Sequence, residues 1–328
     1  MEPVLLTGAT GFVGSALHPA LARRRSVRCL TRAAARARAR WPRLDWVEGD
    51  VADESACARA LAGCSAAFYL VHSIGEKGDF RRSEVEAAGR FARAAAVAGV
   101  RRIVYLGGVA PADLASEHLR SRLEVGEALR AGPVPTVELR ASMIIGHGSV
   151  SWLIVRDLAA RLPVMVLPRW LRSRTEPVAI DDVVDALLGA LETPIEASAW
   201  FDIPGPEALS AEQILVEAAR AMGLPPPLRL AVPVLTPQLS SHWIRFVTRA
   251  RWSVAHELVL GLGGDLLAHD DRFWRLIGHE RRLPFREAAR RALAAERREA
   301  RPMAGAWAAV ERALADLSFH RGIHAEGR

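Results

Sequence analysis

Short apolar runs alternate with longer amphipathic stretches along the first two-thirds of the chain. The apolar runs predict strands at Val4–Thr7, Val27–Thr31, Trp46–Glu48, Ala67–Val71, Ile103–Leu106 and Thr136–Leu139. The stretches between them have helical periodicity over Val13–Arg23, Ala33–Arg40, Glu54–Leu61, Phe80–Ala98 and Glu117–Arg130. Apolar strands that alternate with helices are typical of a parallel sheet covered on both faces. The pattern therefore predicts an α/β fold with a doubly wound sheet of six parallel strands.

The pattern loosens after Arg140. Further helices are predicted at Val150–Arg161, at Asp182–Leu191 and, between Ser210 and Gly223, at Ala211–Met222. Extended segments are predicted at Val164–Leu167, Trp200–Ile203 and Leu228–Val234. An arginine-rich helix with interleaved acids and a solvated face is predicted at Phe285–Arg298. We expect an α/β domain over residues 1–200 and a smaller, mostly helical region over residues 201–328, frayed after about residue 318.

A glycine-rich turn joins the first predicted strand to the first predicted helix. Gly8 permits a tight turn, Gly11 lets the backbone approach a pyrophosphate, and Gly14 lets the helix pack closely on the strand. The free N–H groups at the start of the helix favour phosphate binding. The turn therefore predicts a dinucleotide site. The expected contacts are Gly8, Thr10, Gly11, Phe12, Val13 and Gly14.

The end of the second predicted strand indicates which dinucleotide is bound. A carboxylate there takes the ribose hydroxyls of NAD, whereas an arginine takes the 2′-phosphate of NADP. The strand ends in Thr31-Arg32, no Asp or Glu occurs between Glu2 and Asp45, and nine arginines fall between residues 23 and 43. We therefore expect NADP(H) rather than NAD(H), with Arg32 as the main phosphate contact and Arg36 as a second candidate.

The ends of the next strands complete the predicted cofactor site. Asp50 and Val51 follow the third strand at the adenine rim, where a carboxylate accepts from the adenine amino group and a backbone N–H donates to the ring. Ligands bind beyond the carboxyl ends of such strands, so the nicotinamide half is expected beside the fourth and fifth strands, with Ser142–His147 as a wall. The expected contacts there are Leu70, Val71, His72 and Gly107.

Composition narrows the chemistry. The 328 residues include one lysine, Lys77, and two tyrosines, Tyr69 and Tyr105, neither of which has a lysine four residues later. The net charge of +7 is spread over a long chain, which disfavours nucleic acid as a partner. Three cysteines without a CxxC pair fit a reducing cytoplasm. The apolar runs are too short to span a bilayer, although peripheral contact with a membrane stays open. No metal is expected, because His320 and His324 have metal-ligand spacing but lack a third ligand nearby.

Several motifs resemble the atypical short-chain dehydrogenase/reductase superfamily. They are the N-terminal TGATGFVG, Gly49-Asp50-Val51, Phe68–Ser73, Arg102–Gly108, Leu139-Arg140-Ala141 with Ile145-Gly146, and Val178–Val183. The chain is most similar to NAD(P)H-binding proteins with an NmrA-like or complex I 39-kDa-subunit-like Rossmann domain, and Ser116–Arg122 resembles a bacterial branch of them. The resemblance covers roughly residues 3–235 and implies a Rossmann NAD(P)-binding domain and oxidoreductase activity.

The resemblance also implies where the reaction is carried out. Standard members use Ser, Tyr and Lys, with Tyr and Lys four residues apart on one helix. In this chain His118 stands at the Tyr position, Arg122 at the Lys position, and Gly107-Gly108 at the strand end that delivers Ser. We expect Arg122 to hold ribose hydroxyls and to lower the pKa of His118, leaving a neutral imidazole that donates one N–H. His72 is a second candidate for the proton donor.

Two functions stay open at this point. The first is an NADPH-dependent oxidoreductase that transfers a hydride to a small hydrophobic carbonyl, enone or quinone with a non-standard active site. The second is a non-catalytic NADP(H)-binding redox sensor or assembly protein, because all three standard catalytic positions differ and a fold does not fix a function. The substrate and the oligomeric state are not predicted.

Overall fold

The computed structural model of the chain describes residues 2–72, 80–109, 117–161, 164–167, 172–226, 228–231 and 264–299. Ser73, Lys77, Ser116, the pair His320 and His324, and the tail after residue 318 lie outside these residues. Within them, no helix is long and apolar enough to cross a membrane. The described side chains also contain no group of three or more His, Cys, Asp or Glu residues that could hold a metal ion.

The strands, numbered along the chain, are β1 (Val4–Thr7), β2 (Val27–Thr31), β3 (Asp45–Glu48), β4 (Ala66–Tyr69), β5 (Arg102–Gly108), β6 (Thr136–Ala141), β7 (Ile144–Ile145), β8 (Val164–Leu167), β9 (Arg174–Thr175), β10 (Val178–Ala179), β11 (Ala199–Asp202), β12 (Leu209–Ser210) and β13 (Leu228–Ala231). Seven of them form one parallel sheet in the order β11-β6-β5-β4-β1-β2-β3. The chain order reverses between β1 and β4, and ligands bind beside such a switch point.

The helices are α1 (Phe12–Ala22), α2 (Ala34–Arg40), α3 (Glu54–Leu61), α4 (Phe80–Val97), α5 (Glu117–Arg130), α6 (Val150–Arg161), α7 (Ile180–Glu192), α8 (Ala211–Met222), α9 (Arg272–Leu276) and α10 (Phe285–Glu299). Helices α1 and α7 bury apolar residues on the sheet face that carries Leu6 and Phe68. Helices α3, α4 and α5 cover the opposite face, which carries Leu5 and Tyr69. Apolar side chains on both faces of each strand explain the near-continuous apolar runs of the sequence, and the predicted doubly wound α/β fold is confirmed.

The second half of the described chain adds a helical cluster to this sheet. Helices α6, α8 and α10 pack together around Trp152 and Phe285. The same half of the chain forms three two-stranded sheets, which pair β7 with β10, β9 with β12, and β8 with β13. The predicted cap of α8 is present, since the Ser210 hydroxyl accepts from Gln213 N and the Gln213 side chain accepts from Ser210 N. Gly223 ends this helix with a φ of 76°, which favours glycine.

The sheet extends past residue 200. Strand β11 pairs with β6 as a seventh strand, with Asp202 opposite Arg140, whereas the sequence predicted six strands in this sheet. The apolar side chain of Phe201 stacks near Phe273 of α9, which explains why this short strand is stable at the edge.

Two buried carboxylates connect the α/β domain to residues 264–299. The backbone N–H of His269 donates to Oδ2 of Asp202 over 2.7 Å, and Nδ1 of the same histidine lies 3.0 Å from that oxygen. Nε2 of His279 lies 2.9 Å from Oδ1 of Asp182, and the N–H of Leu283 donates to Oδ2 of Asp182 over 2.9 Å. Both carboxylates are almost fully buried, so these hydrogen bonds replace contacts with water that burial removes.

Candidate functional site

The glycine turn lies at the switch point between β1 and β4. Gly8 has a φ of +68°, and a Cβ placed on it would lie 2.4 Å from the carbonyl oxygen of Leu70. A Cβ on Gly14 would lie 2.2 Å from the carbonyl oxygen of Gly8, and Gly11 N–H donates to that same oxygen over 2.9 Å. Two of the three glycines are therefore required by the packing of the turn itself.

The surroundings of Gly11 fit a pyrophosphate. Gly11 and Thr10 are exposed, and a Cβ on Gly11 would meet one heavy atom within 4 Å, the Gly8 oxygen at 3.2 Å. Gly11 supplies no side-chain cap to α1, and the first turn of α1 contains no acidic residue. The N–H groups of Phe12 and Val13 thus begin α1 without a carboxylate from the first turn of their own helix, and such free N–H groups favour an anion.

Thr7 is a residue of this site that the sequence analysis did not single out. Its buried hydroxyl donates to the carbonyl oxygen of Phe68 over 3.0 Å and accepts from Leu70 N over 3.0 Å. The hydroxyl thus fixes the spacing of the β1 and β4 ends, between which a dinucleotide would lie. A buried threonine that ends an apolar strand directly before a glycine is the signal that the sequence offered.

The ends of β2 and β3 bring Arg32 and Asp50 together. Nη1 of Arg32 lies 3.7 Å from Oδ2 of Asp50, and 77% of the Arg32 side chain is exposed. Oδ1 of Asp50 accepts from Ala52 N over 2.9 Å, and Val51 beside it is partly buried. Arg32 is thus open to a ligand at the sheet edge predicted for the adenosine half, whereas the role of Asp50 toward adenine stays a prediction.

The ends of β4 and β5 bring the three candidate catalytic residues together. The imidazole rings of His72, which follows β4, and His118, near the start of α5, have centroids 6.1 Å apart. Burial, followed by the positive charge of Arg122, lowers the pKa of His118 to about 4. The pKa of His72 is lowered as well, first by burial of its imidazole and then by the charges of Arg122 and His118. Other parts of this residue remain exposed. Both rings are therefore neutral near pH 7.

Arg122 is held by the backbone of β5. Its Nη2 donates to the carbonyl oxygens of Leu106 over 2.6 Å and Gly107 over 3.0 Å. The hydroxyl of Tyr105 donates to the carbonyl oxygen of Arg122 over 3.0 Å. Burial raises the pKa of the Tyr105 hydroxyl, so this tyrosine stays protonated and structural. The predicted contact of Arg122 with ribose hydroxyls stays a prediction.

The packing around β5 explains why glycines stand where standard members place a serine. A Cβ on Gly108 would lie 3.3 Å from Nε of Arg122, and a Cβ on Gly107 would lie 2.8 Å from Oε1 of Glu138. Glu138 is fully buried on β6 and accepts from Nε of Arg130 and Nε of Arg140, each over 2.8 Å. A side chain at either glycine would therefore compete with a charged group that is already in place.

The remaining predicted contacts lie at the same edge of the sheet. Leu70 and Val71 are partly buried after β4, and a Cβ on Gly146 would lie 3.1 Å from the Phe12 ring. The segment Ser142–His147 thus lies against the glycine turn. Its His147 imidazole contacts the Glu299 carboxylate at the end of α10. The candidate residues thus lie at the carboxyl ends of β1 to β6, where Rossmann proteins bind a dinucleotide in the crevice beyond the strands.

Comparisons with known proteins agree with this class. The family model described as NAD(P)H-binding matches residues 8–160. A (4-alkanoyl-5-oxo-2,5-dihydrofuran-3-yl)methyl phosphate reductase of Streptomyces griseus is 30% identical over 232 residues, which are 68% of this chain and 74% of that protein. A ceramide reductase of Caulobacter vibrioides is 28% identical over 230 residues, 69% of this chain and 72% of that protein.

Solved structures show the same fold. The Citrobacter sp. triphenylmethane reductase complexed with NADP(H) superposes with a TM-score of 0.68 at 15% identity, covering 88% of this chain and 99% of that chain. The chain belongs to the atypical short-chain dehydrogenase/reductase superfamily, among its NmrA-like NAD(P)H-binding proteins.

Proposed function

We propose that the protein is an NADPH-dependent reductase that acts on a small hydrophobic carbonyl compound, enone or quinone. The observation that carries this proposal is the position of His72, His118 and Arg122, at the carboxyl ends of β4 and β5 beside the glycine turn. Such a crevice is where the reacting half of a dinucleotide lies in sheets of this topology. The reductases among the similar proteins support the same reaction class.

The preference for NADPH rests on Arg32. Its exposed guanidinium follows β2, where the ribose 2′ position lies in Rossmann domains, and it can form two parallel hydrogen bonds to a phosphate. Asp50 pairs with this guanidinium over 3.7 Å at the same edge of the sheet. Gly8, Gly11 and the first turn of α1 hold the pyrophosphate in this proposal.

When bound, NADPH supplies the hydride. The chain supplies hydrogen bonds to the acceptor: the neutral imidazoles of His72 and His118 each donate one N–H. Arg122 adds a fixed positive charge beside them. Neutral imidazole is a weak acid, so these groups orient and polarise the acceptor oxygen without fully protonating it.

A second candidate function is a non-catalytic NADP(H) sensor. The observation that favours it is the loss of all three standard catalytic side chains, at Gly107-Gly108, His118 and Arg122, together with the use of the Arg122 guanidinium on β5 carbonyl groups. A sensor needs the cofactor site but no proton donor. Turnover therefore separates the two functions.

Titration of the protein with NADPH and NADH, followed by tryptophan and cofactor fluorescence, tests the proposal. We expect NADPH to bind at least about tenfold more tightly than NADH, as the phosphate–guanidinium contact implies. Oxidation of bound NADPH by a panel of quinones, enones and ketones then tests turnover. Equal binding of the two cofactors would contradict the Arg32 assignment. Tight NADPH binding without turnover on any acceptor would favour the sensor.

A further inference from the structure

The groups around His118 have one sign of charge. The charge that acts on the His118 imidazole comes from Arg122, and the charges that act on His72 come from Arg122 and His118. The two imidazole rings have centroids 6.1 Å apart, and Arg122 follows His118 by one helical turn on α5. The cluster therefore combines imidazole N–H donors with a positive charge, an environment that favours an anion over a cation.

The carboxylates on the neighbouring elements are engaged elsewhere. On α4, the Glu84 carboxylate accepts from the Ser121 hydroxyl. On α5 itself, Glu124 pairs with Arg81 over 3.0 Å. On β6, Glu138 is enclosed between Arg130 and Arg140. An anion at this cluster thus meets Arg122 without competition from these three carboxylates, whose partners lie elsewhere.

The positive charge is fixed before any ligand binds. Two carbonyl oxygens at the end of β5 orient Nη2 of Arg122, and Tyr105 fixes the backbone of the same residue. A preset charge costs no reorganisation when negative charge develops on a ligand, and this is the property that makes an oxyanion site effective.

We propose, on the basis of the reductase function proposed above, that His72, His118 and Arg122 form an oxyanion pocket and that the substrates are conjugated acceptors, enones or quinones. A hydride accepted at the β carbon of an enone moves the π electrons onto the carbonyl oxygen, and the α carbon later takes a proton from water. The intermediate enolate needs stabilisation of negative charge, which this pocket supplies, and no strong acid. An isolated ketone would leave an alkoxide, which requires a better proton donor than neutral imidazole.

Binding of 4-nitrophenol to the full chain without cofactor tests the pocket directly, because its phenolate absorbs visible light and its phenol does not. We expect the bound probe to ionise at a pH about one unit below its value in free solution, as a nearby positive charge implies. Arg122→Met and His118→Gln should each reduce this shift. Arg120→Met is the matched control, since Arg120 is exposed on the same helix. Circular dichroism confirms that each variant is folded, and Arg122→Lys provides a variant that keeps the charge.

Binding of the probe without a shift in its ionisation would overturn the pocket, as would an equal loss of the shift in Arg120→Met and Arg122→Met. The substrate class is tested with deuterated NADPH and a cyclic enone paired with its saturated ketone. We expect the enone to react at least about tenfold faster and deuterium to appear at its β carbon. Deuterium at the carbonyl carbon, or equal rates, would overturn the assignment. Failure of NADPH to bind would instead contradict the proposed function, and the phenolate measurement would still decide on the pocket.

Discussion

The Arg122 side chain fills the space above Gly108. Its Nε lies 3.3 Å from the point where a Cβ of residue 108 would stand, and its Nη2 holds the carbonyl oxygens of Leu106 and Gly107. The glycine at position 108 and the arginine on α5 are thus sterically coupled. A serine side chain and this arginine rotamer cannot both occupy the end of β5 without a shift of the arginine.

Gly107→Ala and Gly108→Ala should differ in stability. The methyl group added by Gly108→Ala would press on a side chain that can move by a few tenths of an ångström, so we expect a loss below about 1 kcal/mol. The methyl group added by Gly107→Ala would press on Glu138, which two arginines and burial hold in place, and we expect a loss of about 2 kcal/mol. Urea unfolding of the two variants measures the difference. A larger loss for Gly108→Ala would show that Arg122 is the more rigid neighbour.

Gly8→Ala should disrupt both stability and cofactor binding. Gly63→Ala is the matched control, because Gly63 has a similar φ of +71° but nothing within 4 Å of an added Cβ. Left-handed strain alone costs about 1 kcal/mol, which we expect for Gly63→Ala. Gly8→Ala adds a clash with the Leu70 oxygen, and we expect it to lose at least about 2 kcal/mol more and to bind NADPH weakly. Equal unfolding free energies for the two variants would contradict the role of the Leu70 contact.

Arg32→Asp should reverse the cofactor preference. A carboxylate after β2 repels the 2′-phosphate and can accept from ribose hydroxyls, so we expect NADPH affinity to fall at least about tenfold while NADH affinity is maintained. Arg43→Asp makes the same change of charge just before β3 begins at Asp45, at the opposite edge of the sheet. Fluorescence titration should show the wild-type preference in this control. An Arg32→Asp variant that still prefers NADPH would contradict the assignment.

His18→Leu should make the protein less sensitive to acid. His18 is buried in α1, its Nε2 has no hydrogen-bond partner, its ring lies 5.3 Å from that of Trp41, and burial lowers its pKa. Below the unfolded-state pKa of about 6.5, His18 binds a proton in the unfolded chain but not in the folded chain. The free energy of unfolding therefore falls as the pH decreases. The stability gained by His18→Leu should therefore be larger at pH 5 than at pH 8. Urea unfolding at both pH values measures this gain. An equal gain at pH 5 and pH 8 would contradict the prediction.

The sequence predicted the elements of the sheet well because each strand and helix has its own periodicity. The bounds of α6 agree with the prediction, and those of α1 and α10 differ by one residue. Strand pairs such as β7 with β10 contain two residues each, and two residues carry no periodic signal. Membership of β11 in the main sheet was also not predictable, because it depends on the edge of β6 and on Phe273, which lies far along the chain.

The parts of the candidate site that depend on local sequence or on strand order were predictable. The parts that depend on how helices pack on the sheet were not. The glycine turn is local, and the meeting of Arg32 with Asp50 follows from the rule that parallel strands end at one edge. The contacts of Arg122 with β5 and of Gly107 with Glu138 depend on how α5 lies over the sheet. No spacing along the chain contains that information.

The positions of Asp182 and Asp202 also determine an order of events during synthesis. Their donors, His279 with Leu283 and His269, are translated after the whole seven-stranded sheet. At about 5–20 residues per second, several seconds pass between translation of Asp202 and that of His279. During this time both carboxylates lack these donors and stay hydrated. The last steps in the folding of the α/β domain therefore follow the synthesis of residues 264–299. This segment contributes no strand to the seven-stranded sheet.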